Sequence, residues 1–142
     1  MIRNLRKYGA SKEDLIDVYT KQCRSILEMA VPAWSPGLSN SNSYQIERVQ
    51  KKAFAIILGE EYTSYKRALK CLNMDSLLDR RKAMCLAFAK KSFKSDKFNH
   101  WFCDNESNGT NMKLSEVKTR TKRFKKSPLP YLTGLLNEEF SS

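Results

Sequence analysis

Seven cations crowd residues 113–126: Lys113, Lys118, Arg120, Lys122, Arg123, Lys125 and Lys126, against the single acid Glu116. That net +6 is over half of the +11 set by 26 Lys and Arg against 15 Asp and Glu. Lys118, Arg120 and Lys122 alternate with threonines, so an extended strand carries them on one side. Arg123, Lys125 and Lys126 prolong the run. The chemistry open to such an arm is phosphate binding, independent of sequence and screened by salt. The competing reading is a solvated tail. A second basic set, Arg48, Lys51 and Lys52, falls on a helix face opposite an apolar stripe, and there too phosphate contact competes with simple solvation.

Covalent and metal chemistry find less to work with. The chain has one histidine and five scattered glycines, which leaves neither a typical Ser/His/Asp set nor a Gly-rich phosphate loop. No Asp-Asp pair offers the carboxylates of a two-metal polymerase. His100 and Cys103 have HxxC spacing with no second pair, so no metal site is expected. Cys23 and Cys85 lie in apolar helical faces, as small buried hydrophobes do. No CxxC, signal peptide or membrane-length apolar run is present. The expectation is an intracellular, soluble chain, nuclear or cytoplasmic, without disulfides, cofactor or membrane partner. Its sequons at Asn105 and Asn108 are then loop composition only. Alone it is not expected to be an enzyme, and its oligomeric state stays open.

Helices must position the cations. Ile2 and Leu5 recur at helical spacing before Gly9, which suits a helix end. Ser11 with Asp14 makes a short capping box. From there Leu15, Tyr19, Cys23, Ile26, Leu27 and Ala30 form one predicted stripe. Pro32 should end that helix by driving Val31 out of the α region. Trp34 then sits in the connection, folded over the helix pair or, alternatively, free to stack a base. The polar run at 39–43 caps a second helix, with Ile46, Val49, Ala53, Phe54, Ile56 and Ile57 on its stripe and Gly59 past its end. Glu47 and Lys51 stand at the favourable i,i+4 order.

Ser64 opens a short helix closed around Asn73, and Ser76 with Asp79 opens another reaching about Ser92. The face of the latter holds Leu77, Leu78, Met84, Cys85, Phe88 and Ala89, with Arg81 in its middle. A guanidinium there needs a carboxylate or a ligand, Glu47 being one candidate. Phe98, Trp101 and Phe102 offer one more apolar patch. Residues 131–137 read as a short apolar helix that docks back and so holds both ends of the arm. The predicted fold is mainly α: a bundle of about four to five helices over 1–102, a polar loop at 103–112, and the arm with its short C-terminal helix over 113–142.

Several of these stretches resemble the region C-terminal to the polymerase palm in non-LTR (LINE-type) retrotransposon reverse transcriptases. They are Arg24-Ser25-Ile26-Leu27-Glu28-Met29-Ala30-Val31-Pro32-Ala33-Trp34, Ile46-Glu47-Arg48-Val49-Gln50-Lys51-Lys52-Ala53 and Ile56-Ile57-Leu58-Gly59. Tyr62, Tyr65 and Ala68-Leu69 extend the likeness, as do Leu77, Arg80-Arg81 and Cys85-Leu86-Ala87-Phe88-Ala89-Lys90-Lys91. So do Ser127-Pro128-Leu129-Pro130-Tyr131-Leu132 and Leu135-Leu136-Asn137. The resemblance covers nearly the whole chain. It implies a thumb and post-thumb region that packs on a palm and helps hold the template-primer duplex. The palm's metal-binding aspartates, the endonuclease domain and the zinc knuckle of some relatives have no counterpart here, so no catalytic residue carries over. Met1-Ile2-Arg3-Asn4-Leu5-Arg6 matches the middle of a family helix, which suggests a fragment of a truncated element. The expected partners are RNA or an RNA–DNA duplex and an upstream palm; the alternative is a helical interaction or structural domain with no nucleic-acid role.

Overall fold

The computed structural model describes residues 1–102 and 114–141. Among them the protein is mainly α, with no strand. The helices are more numerous than the four to five expected, because several are single turns. Contacts group the chain into two compact units, Met1–Met29 with Ser39–Arg80 and Ala30–Leu38 with Arg81–Ser142. Lys113, Cys103 and the polar loop lie outside the described residues.

The first unit contains α1 (Ile2–Lys7), α2 (Lys12–Val18), a π-helical segment (Tyr19–Arg24) and α3 (Ser25–Glu28). Ser11 caps α2 by the expected box, its hydroxyl accepting from the Asp14 amide at 3.1 Å and donating to the Asp14 carboxylate at 2.7 Å. Such a cap contributes about 1 kcal/mol. Leu15 and Tyr19 are buried as expected, but the stripe breaks after them. Ile26 is 69% exposed, because a π turn holds more residues than an α turn and rotates everything downstream off the original face.

The helix also stops as Ala30 takes a left-handed φ of 52°. Val31 then begins a helix rather than leaving one: it is the first residue of α4 (Val31–Trp34). Pro32 sits in that helix's first turn, where its missing N–H costs nothing.

Still in the first unit, α5 (Asn40–Leu58) is capped by Ser39, whose hydroxyl accepts from the Asn42 amide at 3.1 Å. It buries Gln50, Ala53, Phe54, Ile57 and Leu58. α6 (Tyr65–Cys71) starts at Ser64 and ends before Asn73, which is left-handed. Around Phe54 a polar network threads the core. The Tyr19 hydroxyl donates to Gln50 Oε1 at 2.7 Å, while Gln50 Nε2 donates to the Tyr65 hydroxyl at 3.0 Å and the Asp75 carbonyl at 2.9 Å. Tyr65 donates to Glu47, which also accepts from the Leu77 amide at 3.2 Å. Arg80 grips Glu28 with two guanidinium nitrogens, a bidentate geometry that adds direction to charge.

Gly59 closes α5 at φ 58°, ψ −119°, a backbone region open to glycine alone. The Arg6 guanidinium donates to the Ile56 carbonyl and fills the space a side chain at 59 would need. Gly59→Ala therefore meets strain and displaces Arg6. The expected loss is about 1–3 kcal/mol, read as a lower urea midpoint at unchanged slope; an unchanged midpoint contradicts it.

α7 (Leu77–Phe93) buries Leu77, Arg81, Cys85, Ala89 and Ser92 at three- and four-residue steps. Arg81 thus lies mid-face, where its sequence position puts it. Leu78 and Phe88 flank this narrow stripe and are 58% and 40% exposed, so they are not the core residues expected. The second unit's core joins Val31, Cys85, Ala89, Phe102, Leu114, Leu132, Leu135 and Leu136. Burial pushes the Cys85 thiol up, partly offset by Arg81, which leaves it inert. Trp34 is half-buried against this core: it packs as an apolar ring, but on the C-terminal core and not over the helix pair where its place in the connection suggests. The C-terminal helix α9 (Pro128–Phe140) is nearly twice the expected length, starting at Pro128 and continuing through two glutamates.

Candidate nucleic-acid interface

The arm begins at a clamp. The Asn137 side chain on α9 accepts from the Leu114 amide at 2.8 Å and donates to the Leu114 carbonyl at 3.1 Å, so it pairs one residue as a neighbouring strand would. Leu114 itself is fully buried. The chain then runs extended, and exposure alternates: Glu116, Lys118 and Arg120 face out while Ser115, Val117 and Thr119 are half-buried. That is the one-sided display the threonine alternation suggests. At its far end the arm enters α9 covalently through Ser127. Both ends are held within the second unit.

The extended path is shorter than expected. Thr121 accepts from the Phe124 amide at 3.1 Å and caps the single turn α8 (Lys122–Lys125). Lys122 therefore starts a helical turn instead of ending a strand, because a hydroxyl cap offsets the lost extended geometry. Lys122, Arg123, Lys125 and Lys126 are all exposed, and with them Phe124, 43% exposed. None of Lys118, Arg120, Lys122, Arg123, Lys125 and Lys126 joins an ion pair among the described residues. By contrast Lys90 pairs with Glu139 and Lys82 with Glu138 at 3.6 Å on the same unit. No described carboxylate therefore occupies the arm's cations.

The second candidate set is less uniform and belongs to the first unit. Arg48 and Lys52 on α5 are exposed. Lys51 is half-buried, its ammonium 5.0 Å from the Tyr44 ring centroid and 5.1 Å from that of Tyr65. The rings attract the cation by their quadrupoles, and the expected Glu47–Lys51 pair is not formed among the described residues. Glu47 is spent on Tyr65 and the Leu77 amide instead.

The buried Tyr19–Gln50–Tyr65–Glu47 cluster does not suit acid–base work. Burial, and for Tyr65 also the hydrogen bond to Glu47, pushes the Tyr19 and Tyr65 phenols far above their ordinary range. They stay neutral donors at any working pH, as a structural network requires. Among the described residues no group of His, Cys, Asp or Glu is placed to hold a metal ion, and no helix is long and apolar enough to cross a membrane.

Sequence reading missed three features here. Thr121, at N-cap spacing from Phe124, was legible but masked by the stronger threonine alternation. The Asn137 clamp has no local signature. An apolar groove on the second unit is assembled from distant segments: Pro32, Phe88, Trp101, Pro128, Leu129 and Leu132 line about 640 Å³. Set against known proteins, the chain has no matching family model, no matching curated protein and no matching solved structure.

Proposed function

We propose that this chain is a non-catalytic nucleic-acid-binding module that engages RNA or an RNA–DNA duplex through Lys118, Arg120, Lys122, Arg123, Lys125 and Lys126. The observation that carries this reading is their common state: six cations within nine residues, exposed and without ion pairs among the described residues. Arg48 and Lys52 are secondary contacts, and Lys51 is weaker because two tyrosine rings already hold its charge. The resemblance to the C-terminal region of non-LTR reverse transcriptases supports the same choice of ligand. It also makes a polymerase palm a partner and assigns the chemistry to that palm. On this reading the module positions the nucleic acid and catalyses nothing.

The test is charge reversal on the capped turn. Lys122→Glu with Arg123→Glu removes two contacts and adds repulsion, so affinity for an RNA–DNA duplex should fall by about tenfold or more at low salt. Circular dichroism should be unchanged, since both side chains are exposed. Unchanged affinity would remove the arm as the contact surface; only the absence of binding to the duplex would leave the alternative, a helical interaction domain with no nucleic-acid role.

A further inference from the structure

The apolar groove and the basic turn adjoin. Ser127 and Pro128 in the groove wall directly follow Lys125 and Lys126 in the chain. The Lys126 backbone also packs over Gly37, close in sequence to the groove residues Pro32 and Ala33, so the turn is fixed at the groove rather than swinging clear of it. The groove's size is that of a ligand site. Its two rings are open to solvent: Phe88 and Trp101 are each 40% exposed, and Phe98 leans against Trp101 with centroids 4.8 Å apart and planes tilted by 51°.

Resting on the nucleic-acid reading above, we propose that this groove seats unpaired bases of a single-stranded RNA or DNA segment while its phosphates follow Lys122, Arg123, Lys125 and Lys126. Charge complementarity names the occupant. A flat-ringed apolar groove with a cationic rim fits a polyanion whose units each carry one charge and one planar apolar face. A regular duplex hides those faces and cannot use the groove. An acidic amphipathic peptide would also complement the rim's charge. It has less use for the outward-facing Lys118 and Arg120, which stand two residues apart on extended chain, about 7 Å.

The experiment measures affinity for a labelled oligouridylate and for an RNA–DNA duplex of equal length, at one salt concentration. Trp101→Ala should weaken the single strand by about tenfold, the effect of losing one stacked base, and change duplex affinity by less than about twofold. Trp101→Phe should recover most of the loss, because the smaller ring still stacks. Equal loss on both ligands, or none on the single strand, overturns the proposal. As a check free of mutation, the single strand should quench tryptophan fluorescence of the unaltered chain more than the duplex does. Equal or absent quenching overturns it, as does an acidic peptide that displaces the single strand while leaving duplex bound. If both ligands bind and both respond to the Lys122/Arg123 reversal yet ignore Trp101, only this inference fails. If neither ligand binds, the nucleic-acid reading fails with it.

Discussion

Phe54→Ala should cost the first unit about 3–5 kcal/mol, near or beyond half the stability of a typical small domain. Phe54 is fully buried, with its ring edge-on to Tyr19 at 5.6 Å and tilted against Tyr65 at 6.0 Å. The penalty for a lost core ring depends on how far the neighbours collapse into the gap. Here they are pinned. Tyr19 is tied through its hydroxyl to Gln50, Gln50 to Tyr65 and the Asp75 carbonyl, and Tyr65 to Glu47. Moving either tyrosine inward would leave a buried polar group unpaired, itself worth about 1–3 kcal/mol. The cavity should therefore persist. Urea unfolding followed by circular dichroism checks this, and a loss under about 1 kcal/mol would mean that the network yields.

Much of this unit was legible in the sequence. Ser11, Ser39, Ser64 and Ser76 all cap helices, since a side-chain oxygen and a free amide three residues on are a local matter. Gly9, Gly59 and Asn73 likewise take the positive φ that their positions after helices suggest. What could not be read depends on contacts distant in sequence. The π segment at 19–24 turns Ile26 outward against its periodicity. Lys51 abandons Glu47 for Tyr44 two turns back on the same helix and for Tyr65, which only folding brings near. Residues 30–38, which look like a mere link between two helices, group with 81–142 because Val31 and Trp34 pack on the C-terminal core.

The proposed binding surface divides in the same way. Its residues and their one-sided display over 118–120 follow from composition and alternation. Its anchoring does not: Asn137 reaches Leu114 across 23 residues, and Phe88 meets Trp101 and Pro128 in one groove only through the fold. That is why the arm could be named from the sequence while the groove could not.

The most direct measurement is the affinity for an RNA–DNA duplex across a salt series. Six phosphate contacts by the arm release about 0.9 counterion each, so log K should fall against log salt with a slope near −5. Between 50 and 200 mM salt that is about a thousandfold loss of affinity. Reversing Lys122 and Arg123 should flatten the slope by about 2. A steep slope that the reversal flattens is the expected result; a salt-independent affinity, or a steep slope indifferent to the reversal, would contradict the arm as a nucleic-acid interface.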